Sequence, residues 1–180
     1  MKTLKPFEMI TDFVTGIRVP NIGAEENRQK VERFLVDTKG YDRDDIEVDV
    51  PIEIEIGGEP YRSRIDLVAG VDGKRFMVIK CAAGSLGSRE REALSAARLI
   101  NPCPLLRAVV SDGKTALVMD TISGKNIDDG MEAIPSKEAA KTVLNAAGSK
   151  PLTKQHLERE KLIFRTYDMM NVNVSRSIPR

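Results

Sequence analysis

The feature that most restricts the fold of this chain is a strict alternation of residue types between positions 46 and 56. The apolar members are Ile46, Val48, Val50, Ile52, Ile54 and Ile56, and the intervening ones are Glu47, Asp49, Pro51, Glu53 and Glu55. Because successive side chains of a strand point to opposite faces, this run predicts a long strand with one buried and one solvated face. Pro51 cannot donate a backbone hydrogen bond, so we expect an edge strand or a bulge.

Glycine-containing turns divide the next part of the chain. Gly57-Gly58 and Asp72-Gly73 are typical hairpin turns, and they separate the first strand from predicted strands at 61–69 and 75–81. The three strands are therefore predicted to form an antiparallel meander.

Periodicity marks the remaining elements. We predict helices at 24–36, 88–100 with Ser88 as N-cap, 136–147 and about 153–170, and strands at 105–110 and 115–119. The order predicts an α/β (α+β) domain with a mixed central sheet flanked by helices. Helices alone follow residue 130, which indicates a helical C-terminal extension.

Composition restricts the function classes. The chain has 180 residues, enough for one compact domain, and its net charge of +1 confines any DNA site to a local patch. Its single histidine, His156, is expected on a helix surface, and this argues against histidine-dependent hydrolysis and His/Cys zinc sites. Cys81 and Cys103 are expected to be reduced thiols, and no apolar run is long enough to span a membrane, so we expect a cytoplasmic protein.

Two residues suggest phosphodiester chemistry. Metal-dependent cleavage needs carboxylates for a divalent cation and a positive group near the phosphate. Asp66 and Lys80 lie on two predicted strands joined by a tight turn, so they can approach each other. A lysine at the end of an apolar strand needs a partner if it is buried. We expect the two side chains to lie side by side, facing the first helix.

Several motifs occur in an order that resembles a known family. They are Glu-Glu-Asn-Arg-Gln-Lys at 25–30, Lys-Gly-Tyr at 39–41, Arg-Ser-Arg-Ile-Asp-Leu-Val at 62–68, Val-Ile-Lys at 78–80 and Val-Val-Ser-Asp-Gly-Lys at 109–114. Residues 24–127 resemble the N-terminal nuclease domain of type I restriction enzyme R subunits. The resemblance implies a restriction-endonuclease-like core of the PD-(D/E)xK superfamily, which we place at 23–130 between an arm (1–22) and the C-terminal extension (131–180).

The resemblance also implies roles for particular residues. Asp66 would be a metal ligand, Lys80 the catalytic lysine, and Glu26 (or Glu25) the acid that the first helix directs at the metal. The implied cofactor is Mg²⁺ or Mn²⁺. The implied partners are DNA and restriction-system subunits. The sequence leaves open whether the chain also forms a homo-oligomer.

One departure from the family pattern leaves the activity open. The family's acid-x-Lys motif places a carboxylate where this chain has Val78, which cannot bind a hard cation. Either the site is catalytically degenerate, or the carboxylate has moved to the following helix as Glu90 or Glu92. A third interpretation is a non-enzymatic scaffold for DNA or protein interaction.

The charged residues also have ordinary structural interpretations. Lys74, Arg75, Arg89 and Arg91 are candidates for a phosphate-facing patch or are simply solvated. Asp66 is alternatively part of a cross-strand set of ion pairs with the neighbouring arginines and glutamates. The glutamates at the start of the second helix alternatively complement its dipole.

Overall fold

A computed structural model describes residues 8–170 of the chain. In order, its elements are β1 (Met9–Thr11), β2 (Arg18–Pro20), α1 (Glu25–Asp37), β3 (Ile46–Ile56), β4 (Glu59–Val71), β5 (Lys74–Cys81), α2 (Glu90–Leu99), β6 (Arg107–Ser111), β7 (Ala116–Asp120), β8 (Asn126–Asp129), α3 (Lys137–Ala146) and α4 (Lys154–Met169). Single turns of 3-10 helix occur at Arg43–Asp45, Gly87–Arg89 and Met131–Ala133.

The central sheet has six strands in sequence order, β3-β4-β5-β6-β7-β8. Only the β5–β6 pair is parallel, and α2 makes the crossover between these two strands. The predicted mixed sheet with an antiparallel meander is confirmed. Pro51 lies on β3 at the edge of the sheet, where its missing N–H removes no hydrogen bond between central strands.

Helices cover both faces of the sheet. On one face α1 and α3 supply Val31, Leu35 and Ala140 to a core that includes β-strand residues such as Leu67 and Ile79. On the other face α2 and α4 supply Ala93, Ala97 and Phe164 to a core that includes Val68 and Val78. The helices after residue 130 are thus layers of the same domain, while the boundary at 130/131 stays a prediction.

The structure corrects the sequence interpretation at several elements. The short hairpin β1–β2 lies in the predicted arm, and β8 was not predicted. Ser88 is not an N-cap: α2 begins at Glu90, and the Ser88 hydroxyl donates to the Ser85 carbonyl at 2.9 Å. Within residues 8–170, none of the helices has the length and apolar character needed to cross a bilayer.

Candidate active site

Asp66 and Lys80 lie next to each other where β4 and β5 separate. The last backbone pair near this point is Leu67 with Ile79. Beyond it, the Cys81 backbone N–H donates a hydrogen bond to Asp66 Oδ2 at 2.8 Å. A side chain of β4 thus replaces the backbone carbonyl that would accept this bond in a continuous strand pair. The same Asp66 oxygen lies 3.4 Å from Lys80 Nζ. The predicted juxtaposition is therefore present, and Asp66 is only 7% exposed.

A second carboxylate reaches Lys80 from α2. Glu92 Oε1 lies 3.0 Å from Lys80 Nζ, and its other oxygen lies 3.6 Å from Arg89 Nη1. Glu92 is in the first turn of α2, where the helix dipole favours an anion, and it is 2% exposed. Three elements, β4, β5 and α2, thus bring two carboxylates and one ammonium group together.

Lys80 remains a cation in this environment. Burial alone would lower the pKa of Lys80, but the Asp66 and Glu92 carboxylates outweigh it and hold this pKa above its usual range. A lysine in this state cannot accept a proton from water near neutral pH. Its chemical contribution is therefore positive charge and hydrogen-bond donation.

The expected orientation toward the first helix is wrong. Lys80 shares its strand face with Val78, which is 1% exposed and belongs to the core beneath α2 and α4. The alternate residues Ile79 and Cys81 face α1 instead. The helix that contacts Lys80 is α2, the next α-helix after β5 in the chain, through the Glu92 side chain.

Two of the predicted metal ligands lie elsewhere. The Glu26 side chain is 70% exposed and pairs with Lys30 at 3.0 Å, so it points to solvent. Its neighbour Glu25 is buried but contacts Arg28 at 2.6 Å. The Glu90 carboxylate lies over Gly87, so the helix acid beside Lys80 is the one two positions later.

The predicted phosphate-facing patch is divided. Lys74 and Arg75 begin β5 and Lys80 lies near its end, roughly 20 Å away along an extended strand. The Arg75 guanidinium donates two hydrogen bonds to the Glu47 carboxylate, both at 2.7 Å. Arg89 and Arg91, by contrast, flank the start of α2. These two arginines are the members of the set near the candidate site.

A buried ion cluster around Arg28 was missed by sequence reasoning. Arg28 is fully buried in α1, and four carboxylates lie around its guanidinium group: Asp12 at 3.1 Å, Glu25 at 2.6 Å, Glu32 at 3.7 Å and Asp49 at 3.2 Å. Asp49 was expected on the solvated face of β3. Its backbone has a left-handed φ of 52°, which interrupts the regular alternation of side chains, and its carboxylate contacts Arg28. The spacing of Glu25, Arg28 and Glu32 along one side of α1 was the available signal.

The pair of Asp66 and Glu92 fits one kind of metal site. In the described part of the chain, no three His, Cys, Asp or Glu side chains are grouped in a way that could hold a metal. Mg²⁺ is nonetheless commonly bound through one or two carboxylates, with water and substrate phosphate completing its shell. Two hard oxygen donors beside a lysine therefore fit Mg²⁺ bound together with a phosphate.

A comparison with protein families identifies the relationship. The family model described as type I restriction enzyme R protein N terminus matches residues 23–135. The chain belongs to this family. The match to the R-protein N terminus includes Asp66, Lys80 and Glu92 but ends before α3 and α4. Searches of curated proteins and of solved structures found no match.

Proposed function

We propose that this chain is a restriction-type, divalent-metal-dependent DNA endonuclease domain in which Glu92 replaces the acid missing at Val78. The observation that carries the proposal is the position of the Lys80 ammonium between Asp66 and Glu92, at 3.4 and 3.0 Å. An acid, a second acid and a lysine are the set that metal-dependent phosphodiester hydrolysis requires, although here they come from two strands and a helix.

Each residue has a distinct proposed role. Asp66 and Glu92 would hold Mg²⁺ or Mn²⁺, which when bound supplies an activated water and stabilises charge on the phosphate. Lys80, which stays protonated, would donate to the phosphate or orient the attacking water. Arg89 lies beside Glu92 and is suited to contact an adjacent phosphate.

The energetics of burial argue against a purely structural ion set. Replacing a buried ion pair with well-packed apolar residues is often neutral or stabilising, because desolvation offsets the attraction. Here two carboxylates and one ammonium group are almost fully buried, and Arg89, at 3.6 Å from Glu92, supplies a second positive charge. A divalent cation would use the two carboxylates, and a phosphate would use the two cationic side chains.

Membership of the R-protein family also bears on partners. It supports restriction-system subunits and DNA as the molecules that this domain contacts. Self-association and a cytoplasmic location remain parts of the proposal. Cys81 and Cys103, which are both free thiols, support the location.

Calorimetric titration with Mn²⁺ tests the metal site. Wild-type protein should bind Mn²⁺ stoichiometrically in the presence of a short DNA duplex, and Asp66→Asn and Glu92→Gln should each lose about tenfold or more in affinity. Glu90→Gln is the matched control, since it removes an acid from the same helix turn but not from Lys80. Cleavage of the duplex in Mg²⁺ should show the same ranking of variants.

The burial of Val78 favours a second candidate function. Its side chain is enclosed in the apolar core and offers no ligand, so the family's own acid position contributes nothing to a metal site in this chain. A protein that binds duplex DNA or protein equally well without metal, and does not cleave DNA, would be a non-enzymatic interaction module. Equal Mn²⁺ affinity in wild type and Glu92→Gln would likewise contradict the proposed site.

A further inference from the structure

The charged groups of the candidate site are covered. Asp66 and Glu92 are 7% and 2% exposed, and the Lys80 side chain is 15% exposed. A DNA phosphate must come within hydrogen-bond distance of Lys80 for the proposed reaction. The protein must therefore open at this point before a phosphate can enter.

The last turn of α4 borders the site. Tyr61, on β4, donates a hydrogen bond from its hydroxyl to Asp168 Oδ2 at 2.5 Å. The body of α4 packs on the sheet face that carries Val78, and Lys80 lies on the same face. Tyr61 belongs to β4, the strand that also carries Asp66. The Tyr61–Asp168 pair thus lies on the side of the sheet where the charged groups are.

The body of α4 is held much more firmly than its last turn. Phe164 is fully buried, and its ring packs edge-on against Tyr61 with centroids 6.4 Å apart. One turn earlier, Glu160 accepts hydrogen bonds from Ser95 and Arg98, both at 2.9 Å. His156, predicted as a surface residue, is one-third exposed and lies 3.3 Å from the same carboxylate.

Polar contacts at the margin hold the last turn. Besides the Tyr61–Asp168 bond, the Arg91 guanidinium lies 5.9 Å from the centre of the Tyr167 ring. Met169 and Met170 are exposed and bury little surface. Terminal turns with few buried contacts open at low free-energy cost, whereas α4 around Phe164 opens only with the core.

We propose that residues 165–169 form a cap over the candidate site, kept closed by the Tyr61–Asp168 hydrogen bond. In the closed state the Asp168 carboxylate is held at the margin of the site by Tyr61, and its negative charge opposes the entry of a phosphate. This inference rests on the proposed function for the identity of the ligand. Because α4 lies beyond residues 23–135, the cap is an addition to the segment that defines the family.

Acetylation of Lys80 measures the cap without metal or DNA. Tyr61→Phe removes the donor while keeping the ring against Phe164, and Asp168→Asn removes the charge of the acceptor. Mass spectrometry after treatment with an N-hydroxysuccinimide acetate should show several-fold faster acetylation of Lys80 in both variants, relative to the exposed Lys30. Tyr167→Phe, a matched loss of a neighbouring hydroxyl, should leave the rate unchanged. Thermal melting checks that each variant is folded.

The outcomes separate the cap from the proposed function. Faster acetylation in Tyr61→Phe together with tighter Mn²⁺ binding supports both. Faster acetylation with no Mn²⁺ binding in any variant retains the cap and rejects the metal site. Unchanged acetylation in Tyr61→Phe overturns the cap whatever Mn²⁺ does. An effect in Asp168→Asn alone also overturns it, since that change alters the charge around Lys80 directly.

Discussion

Lys80 Nζ and Glu92 Oε1 lie 3.0 Å apart, across the connection from β5 to α2. The two residues belong to different elements, and both are almost fully buried. Their separation is short enough for a charge-assisted hydrogen bond, the stronger class of hydrogen bond in proteins. With Asp66 on the other side, the ammonium group neutralises one of two carboxylates and binds β4, β5 and α2 together.

Replacing the ammonium group should therefore be strongly destabilising. Lys80→Met keeps the length of the side chain but leaves Asp66 and Glu92 as neighbouring buried carboxylates. Loss of one partner from a buried ion pair costs on the order of 3 kcal/mol, and we expect a loss of that size in urea unfolding. Lys30→Met, which breaks the exposed pair with Glu26, should cost under about 1 kcal/mol. Equal losses in the two variants would show that Lys80 is not held as described.

Sequence reasoning placed Asp66 and Lys80 side by side but left Glu90 and Glu92 as alternatives for the acid on α2. Strand alternation and a tight turn were enough to place the first two on neighbouring strands. The buried side of α2 was harder to predict, because its buried residues other than Glu92 are small: Ala93, Ser95, Ala96 and Ala97. Small residues give little hydrophobic contrast, so the sequence alone could not choose between Glu90 and Glu92.

The bulge in β4 provides a test of the sheet itself. Register shifts between Ala69 and Gly70, and a Cβ built on Gly70 would lie 2.4 Å from the Lys74 carbonyl oxygen. Gly70→Ala should therefore force the β4–β5 hairpin apart and lower the free energy of unfolding by about 1–3 kcal/mol. Gly84→Ala is the control, since a Cβ there meets nothing within 4 Å. Urea denaturation of both variants makes the comparison, and a neutral Gly70→Ala would contradict the close approach.

Strands were predictable where the pattern of burial was regular. The alternation of β3 and the Asp72-Gly73 turn defined the meander, and the structure extends its strands by only one or two residues at an end. β8 has four residues that are all exposed, so hydrophobicity carries no signal for it. Asp49 was misplaced for another reason: its left-handed backbone breaks the alternation locally, which a pattern of residue types does not reveal.

Glu32 should make stability depend on pH. Burial and the Asp12 carboxylate raise the pKa of Glu32 to about 8, against the attraction of Arg28. Its pKa in the unfolded chain is about 4.3, so between these values the folded state binds more protons. The free energy of unfolding therefore falls as pH rises through this window. Burial raises the pKa of the Cys81 thiol well above its usual value, so that group stays neutral.

Glu32→Gln tests this dependence because glutamine cannot ionise. Relative to wild type, the variant should gain stability between about pH 5 and about pH 9, by at least about 1 kcal/mol in urea denaturation. Glu26→Gln removes an exposed acid from the same helix, and its difference from wild type should be the same at both pH values. A constant difference for Glu32→Gln would mean that this carboxylate is already ionised in the folded protein.

Val78→Glu tests whether the family's own acid position can still serve the site. Val78 and Lys80 lie on the same strand face, with Cα atoms about 7 Å apart, so a carboxylate at 78 would lie close to Asp66 and Glu92. Without metal, the new charge enters the apolar core and faces like charges, and we expect a loss on the order of 3 kcal/mol. A cation that binds only the folded state should restore part of that loss.

The matched control is Val78→Gln, which has nearly the same shape as the glutamate but no charge. Both variants should melt at a lower temperature than wild type, because each places a polar group among Ala93, Ala97 and their neighbours. Mn²⁺ should raise the melting temperature of all three proteins, because each keeps Asp66 and Glu92, and the rise should be largest in Val78→Glu, since only that variant adds a hard ligand. If the rise is equal in the three proteins, the metal lies away from position 78. If Mn²⁺ changes none of the three, the carboxylates around Lys80 do not form a metal site, and the interaction module becomes the better account.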